Sequence, residues 1–167
     1  MNFILCGMMG SGKTLIGREL AHLTNRAWLD TDIEIEKRYG KISEIFKRHG
    51  EEYFRGLESA LVEELSKKDG CVISTGGGLV LREQNVTVLK TNGKILFLRA
   101  TKQTLLERLK KDKNRPLLQG EEDLGKRIES LLNERTPVYE QVADVILDVD
   151  GYSVEENANR AFKAFEE

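Results

Sequence analysis

The sequence predicts an α/β fold in which a parallel β-sheet is covered by helices on both faces. Three observations carry this reading. Five short apolar runs, Phe3–Cys6, Ala27–Asp30, Cys71–Thr75, Lys94–Leu98 and Asp144–Asp148, read as buried strands. The stretches between them repeat apolar residues at helical spacing. The first run leads directly into Gly-Met-Met-Gly-Ser-Gly-Lys-Thr at residues 7–14, which fits the pattern G-x-x-x-x-G-K-[ST] at every fixed position. Near-continuous apolar strands alternating with amphipathic helices belong to a parallel sheet buried on both sides. The 167 residues are enough for one domain with a substantial core.

Taken in order, the elements place the chemistry. After the glycine loop, Leu15, Ile16, Leu20 and Leu23 recur at helical spacing. Strand, glycine loop and helix together form the setting in which backbone N–H groups converge on phosphate oxygens. Lys13 is placed to reach the β- and γ-phosphates and the Thr14 hydroxyl to hold Mg²⁺. Gly10, Ser11, Gly12, Lys13, Thr14 and Leu15 are the expected nucleotide contacts, and the chain is expected to bind a nucleoside triphosphate. The second strand runs into Asp30-Thr31-Asp32, and the third into Ser74-Thr75-Gly76-Gly77-Gly78. Phe54, Leu57, Leu61 and Leu65 mark one helix, Leu105, Leu106 and Leu109 another, and Leu124, Ile128, Leu131 and Leu132 a third. Residues 110–123 break this rhythm: they are charged, carry Pro116 and Gly120, and read either as a solvated loop or as a lid over a nucleotide.

Right-handed crossovers put every strand C-terminus along one edge of a parallel sheet, where ligands bind. Two carboxylates and a triple glycine should therefore face the phosphates. Asp30 and Asp32 can cap the helix that follows. Beside a phosphate loop, carboxylates facing Mg²⁺-ATP are the stronger reading. The glycines either make a turn or let backbone approach a ligand closely. Arg135 extends the Leu124–Leu132 stripe and should lean inward. Arg55 lies three residues before Glu58, close enough to pair on a helix. Inward, buttressed arginines need an anion, and a carboxylate fits the planar guanidinium.

Composition excludes other classes. With Lys+Arg 26 against Asp+Glu 28 and no basic tract, nothing favours nucleic acid or a membrane surface. No apolar run approaches the ~20 residues of a membrane span. The first strand begins by Phe3, so no leader is expected, and the protein reads as cytoplasmic. Cys6 and Cys71 read as buried reduced thiols, and two separate histidines, His22 and His49, do not make a zinc site. A GTP-dependent switch would need an N-K-x-D motif, which does not occur.

These residues resemble a known family. The glycine loop, Leu29-Asp30-Thr31-Asp32, Phe54-Arg55, Gly76-Gly77-Gly78, Arg115-Pro116-Leu117-Leu118 and Glu134-Arg135-x-Pro137-x-Tyr139 occur in the order and spacing seen in shikimate kinases, over essentially the whole chain. The resemblance implies a three-layer α/β/α P-loop fold with a five-stranded parallel sheet in the order 2-3-1-4-5. It implies a single domain over 1–167, with a substrate-binding helical segment at about 33–60 and a lid at about 110–123. It implies transfer of the γ-phosphoryl group of ATP to the 3-hydroxyl of shikimate, with Mg²⁺, in aromatic amino acid biosynthesis. By position, Asp32 would bind the acceptor hydroxyls, and Arg55 and Arg135 with Gly76, Gly77 and Gly78 would hold its carboxylate. Asp30 would support Mg²⁺ beside Thr14. Lys13 and Arg115 would meet the phosphates, and Arg108 would lie against adenine. One departure marks the last loop. The family often carries a basic residue and a proline beside adenine, whereas Tyr152 and Val154 stand here, with Tyr152 able to pack on the base. A monomer is expected. The nearest alternative is a gluconate kinase-like enzyme, which would not combine these motifs.

Overall fold

The computed structural model describes residues 1–112 and 123–167. Its sheet has five parallel strands, β1 (Asn2–Cys6), β2 (Ala27–Asp30), β3 (Cys71–Ser74), β4 (Gly93–Arg99) and β5 (Val145–Asp148), in the spatial order β2-β3-β1-β4-β5. This is the expected α/β/α arrangement. The α-helices among the described residues are α1 (Lys13–Thr24), α2 (Thr31–Tyr39), α3 (Ile42–His49), α4 (Glu51–Leu65), α5 (Glu83–Lys90), α6 (Lys102–Leu109), α7 (Leu124–Val142) and α8 (Val154–Glu166). No described helix is long and apolar enough to cross a membrane.

Strand alternation divides the core in two. Phe3 and Leu5 of β1 face α1 and α8, where Ile16, Leu20, Ala158 and Ala161 are buried and Phe3 stacks on Phe165 with ring centroids 4.2 Å apart. Ile4 and Cys6 face the opposite layer, with Leu61, Leu65, Leu105, Ile128 and Tyr139. Each fully buried side chain of this size stabilises the fold by about 1.5–3 kcal/mol. Sequence-predicted strand limits are right to within one residue, but two of the strands are not buried runs. At the edges of the sheet, β2 and β5 each expose residues, because a neighbour covers only one side. In α1, Ile16 and Leu20 are buried while Leu15 and Leu23 are exposed, so the apolar stripe is narrower than its sequence suggests.

The register sets the site. Leu5 pairs with Ser74, and Ser74 with Asp30, so the three strands β1, β3 and β2 end level with one another. Thr75 fixes this edge, donating to the Leu5 carbonyl from both its N–H and its hydroxyl at 3.0 Å. On the far side, α7 runs through Pro137, a residue that removes a helical hydrogen bond. Tyr139, fully buried against Phe97, anchors the last turns beyond it.

Candidate active site

The phosphate loop leaves β1 with positive φ at Gly7, Gly10 and Gly12 and enters α1 without a side-chain cap. Its first-turn N–H groups therefore stay open to an anion. The Lys13 ammonium, nearly buried, donates to the Gly7 carbonyl at 2.7 Å and the Met8 carbonyl at 2.8 Å. Buried Ser11 has an unpartnered hydroxyl among the described residues. Ser74 ties this loop to the next strand, donating to the Lys13 carbonyl at 2.7 Å and accepting from the Trp28 indole at 3.1 Å.

The two carboxylate oxygens of Asp30 have different partners. One oxygen caps α2, accepting from the Asp32 and Ile33 N–H groups at 3.0 and 3.1 Å; the other accepts from the Thr14 hydroxyl at 2.8 Å. Capping thus leaves the second oxygen facing Thr14 at the phosphate loop.

The third loop departs from its sequence reading in one physical respect. The space left by its missing Cβ atoms is filled by the protein's own charged groups. A Cβ on Gly76 would lie 2.6 Å from an Asp32 oxygen and 2.9 Å from a Glu58 oxygen; one on Gly78 would lie 2.5 Å from the Arg55 guanidinium. Arg55 is buried and donates to Glu58 at 2.7 Å, the pair expected from their spacing. Arg135 is buried as well, and its Nε and Nη1 have no partner among the described residues. The Tyr139 hydroxyl donates to the Gly77 carbonyl at 2.5 Å and secures the loop beside Arg135. Burial pushes the Glu58 carboxyl up to about 7, against the pull of Arg55 and with a further push from Asp32.

Two cavities open along this edge. One, of about 430 Å³, is lined by Asp32, Arg55, Glu58, Arg135 and the three glycines, with Phe46, Phe54 and Ile33 as apolar walls. The other, of about 400 Å³, runs over the phosphate loop from Lys13 and Leu15 to Arg108, Tyr152 and Val154. Both are lined by Met9, Thr14, Asp30, Asp32 and Gly77, so they meet where the two carboxylates face the phosphate loop. A buried guanidinium pair in one chamber suits a small polar acid; the glycine loop in the other suits a nucleoside triphosphate.

The family model for shikimate kinase matches residues 9–166. The chain belongs to the shikimate kinase family. A shikimate kinase of Chromobacterium violaceum is 46% identical over 154 residues, spanning 92% of this chain and 83% of its own. Among solved structures, a shikimate kinase from Acinetobacter baumannii in complex with shikimate reaches a TM-score of 0.94 at 36% identity, covering 99% of this chain and 92% of that one. A gluconokinase from Sinorhizobium meliloti covers 99% of this chain and 91% of its own with a TM-score of 0.59 at 13% identity, which shows a common fold alone.

Against the shikimate kinase pattern, most sequence-predicted residues come together at the two cavities. Gly10, Gly12, Lys13, Leu15, Arg108 and Tyr152 line the cavity over the phosphate loop, Arg55, Gly76, Gly78 and Arg135 line the other, and Thr14, Asp30, Asp32 and Gly77 line both. Arg108 reaches back to the Gly10 carbonyl at 2.9 Å. Arg115, with most of the 110–123 segment, lies outside the described residues. Sequence reasoning gave no role to Ser74, Thr75 or Tyr139. Each acts through a hydrogen bond to backbone remote in sequence, and the only sequence signal was their position within the quoted motifs.

Proposed function

We propose that the protein transfers the γ-phosphoryl group of ATP to the 3-hydroxyl of shikimate, giving ADP and shikimate 3-phosphate, in aromatic amino acid biosynthesis. The observation that supports this most directly is the wall common to the two cavities, which places Asp32 between a phosphate loop and a guanidinium-lined chamber. Phosphoryl transfer depends on positioning and on stabilising charge more than on covalent help. Asp32 accepts a hydrogen bond from the attacking hydroxyl and aims it. Arg55 and Arg135, whose donors converge at Gly77 and Gly78, hold the acceptor carboxylate by charge-assisted hydrogen bonds. Glu58 fixes the Arg55 fork. Lys13 leaves the loop carbonyls to meet the phosphates, and Ser11 and the open α1 amides receive their oxygens. Tyr152 and Arg108 take the base.

Mg²⁺ fits the donors that are present, since the Thr14 hydroxyl and the Asp30 carboxylate are adjacent hard oxygens beside the loop. Bound there, the ion supplies positive charge against the phosphate oxygens. Motif position alone assigns Arg115 to the phosphates and 110–123 to a lid. We read 1–167 as one kinase domain, with 33–60 as its acceptor-binding segment. We read the protein as a monomer. The free, buried thiols of Cys6 and Cys71 suit the reducing cytoplasm.

The test is ADP release from Mg²⁺-ATP with shikimate, gluconate or a nucleoside monophosphate as acceptor. Stimulation by shikimate alone supports the assignment. Stimulation by gluconate with shikimate inert would overturn it and reassign the Arg55/Arg135 pair.

A further inference from the structure

We infer that Arg160 is a positioning residue for the nucleoside of ATP, acting by holding the Tyr152 ring as a platform at the outer end of the nucleotide cavity. This rests on the reading of Tyr152 as a base contact. Tyr152 is half exposed, in a loop where an aromatic side chain would otherwise sample several rotamers. Its ring is instead covered on one face by the Arg160 guanidinium, 3.8 Å from the ring centroid. That guanidinium is itself pinned, with one nitrogen donating at 2.7 Å to both the Asp148 carbonyl and the Asn157 side-chain oxygen. Asn157 is buried and donates to the Val149 carbonyl at 3.0 Å, so α8 grips the loop just before Tyr152. On its other side the loop is tied to the start of α6 through Asp150, which accepts from the Thr101 and Thr104 hydroxyls at 2.5 and 3.0 Å. Arg108 projects from the same helix across the cavity. The outer end of the cavity is thus a braced pair, Arg108 and Tyr152. One face of the phenol ring is occupied by a cation, leaving the other for a flat π-system, and a purine offers that surface.

Among the described residues Arg160 itself hydrogen-bonds only Asp148 and Asn157, and none of the phosphate loop, so its effect should be confined to the nucleotide. Steady-state kinetics of Arg160→Ala, Tyr152→Ala and the double variant, with thermal melts of each, test this. Arg160→Ala should raise the KM for ATP about 3- to 10-fold, the scale of one partly exposed cation–π contact. Its kcat and KM for shikimate should stay within about twofold of the parent. The double variant should be no worse for ATP than Tyr152→Ala alone, because Arg160 acts only through the ring. Arg160→Gln keeps a donor for the Asp148 carbonyl without the cation; it should retain the parent melting temperature and still show the raised KM for ATP. Additive losses in the double variant, or equal rises in both KM values, would overturn the positioning role. An impaired Tyr152→Ala beside an unimpaired Arg160→Ala would overturn it while leaving Tyr152 as the base contact. An unimpaired Tyr152→Ala would remove the base contact and the inference together.

Discussion

Replacing Arg135 with methionine should make the unliganded protein more stable while nearly abolishing its grip on the acceptor. Arg135 is 4% exposed, yet its Nε and Nη1 have no partner among the described residues. An unsatisfied buried donor costs about 1–3 kcal/mol, more when charged. Methionine has a similar length, flexes to fill the space and buries no donor. The Gly77 carbonyl keeps its hydrogen bond from Tyr139, so the loop beside the site remains anchored. Counting one relieved donor and discounting the second for lost interaction with Glu58, the gain is about 1–3 kcal/mol. For a chain of this size that raises the melting temperature by about 2–12 °C. The opposite effect falls on function. Loss of a charge-assisted hydrogen bond to a carboxylate, worth about 1.5–3 kcal/mol, raises the KM for shikimate about 10- to 150-fold. Thermal melts without ligand, and ADP release titrated separately in shikimate and ATP, measure both. A lower melting temperature with equal rises in the two KM values would refute the reasoning, because Arg135 would then be a structural support and not an anion site.

The other expectations are more local. Lys13→Ala should lower kcat by about 10²-fold or more, in line with loss of a preorganised charge stabilising the transition state. Its circular dichroism should be unchanged, since the lost bonds to Gly7 and Met8 lie within the loop. Glu58 makes stability depend on pH. Its folded value, about 7, lies above its ordinary 4.5, so the native state binds this proton more tightly than the unfolded chain. That contribution is fully present below about pH 4.5 and is lost as the pH rises through about 7, to the extent of about 3 kcal/mol. Glu58→Gln, which can still accept from Arg55, should flatten this part of the urea-unfolding profile between pH 4.5 and 7.5, and an unaltered profile would disprove it. In Gly78→Ala the new methyl would lie 2.5 Å from the Arg55 guanidinium, the movable end of a long side chain. The fold should survive, with the KM for shikimate raised about tenfold and that for ATP unchanged.

Much of the site was legible in the sequence because the relevant spacings are short. Lys13 and Thr14 stand at fixed offsets from the loop glycines, and Arg55 meets Glu58 within a single turn of α4. The inward lean of Arg135 followed from helical periodicity, and its burial bears this out. Periodicity was less informative where two elements compete for one surface. It could not separate buried Ile16 and Leu20 from exposed Leu15 and Leu23, since only packing against α8 sets the width of the stripe. It also gave no reason for α7 to continue through Pro137, where burial of Tyr139 outweighs the missing hydrogen bond.

By itself, the sequence determined the fold class, the strand boundaries and the edge on which the chemistry gathers. These follow from local pattern and from the handedness of strand crossovers, which send every strand C-terminus to one side. Tertiary structure decided how those groups are used. It turned the Asp30 cap toward Thr14, filled the spaces over Gly76 and Gly78 with Asp32, Glu58 and Arg55, and placed Arg160 behind Tyr152. Each of these depends on burial or on a partner from another element. Desolvation and long-range pairing act only once the chain has closed, so no reading of local spacing contains them.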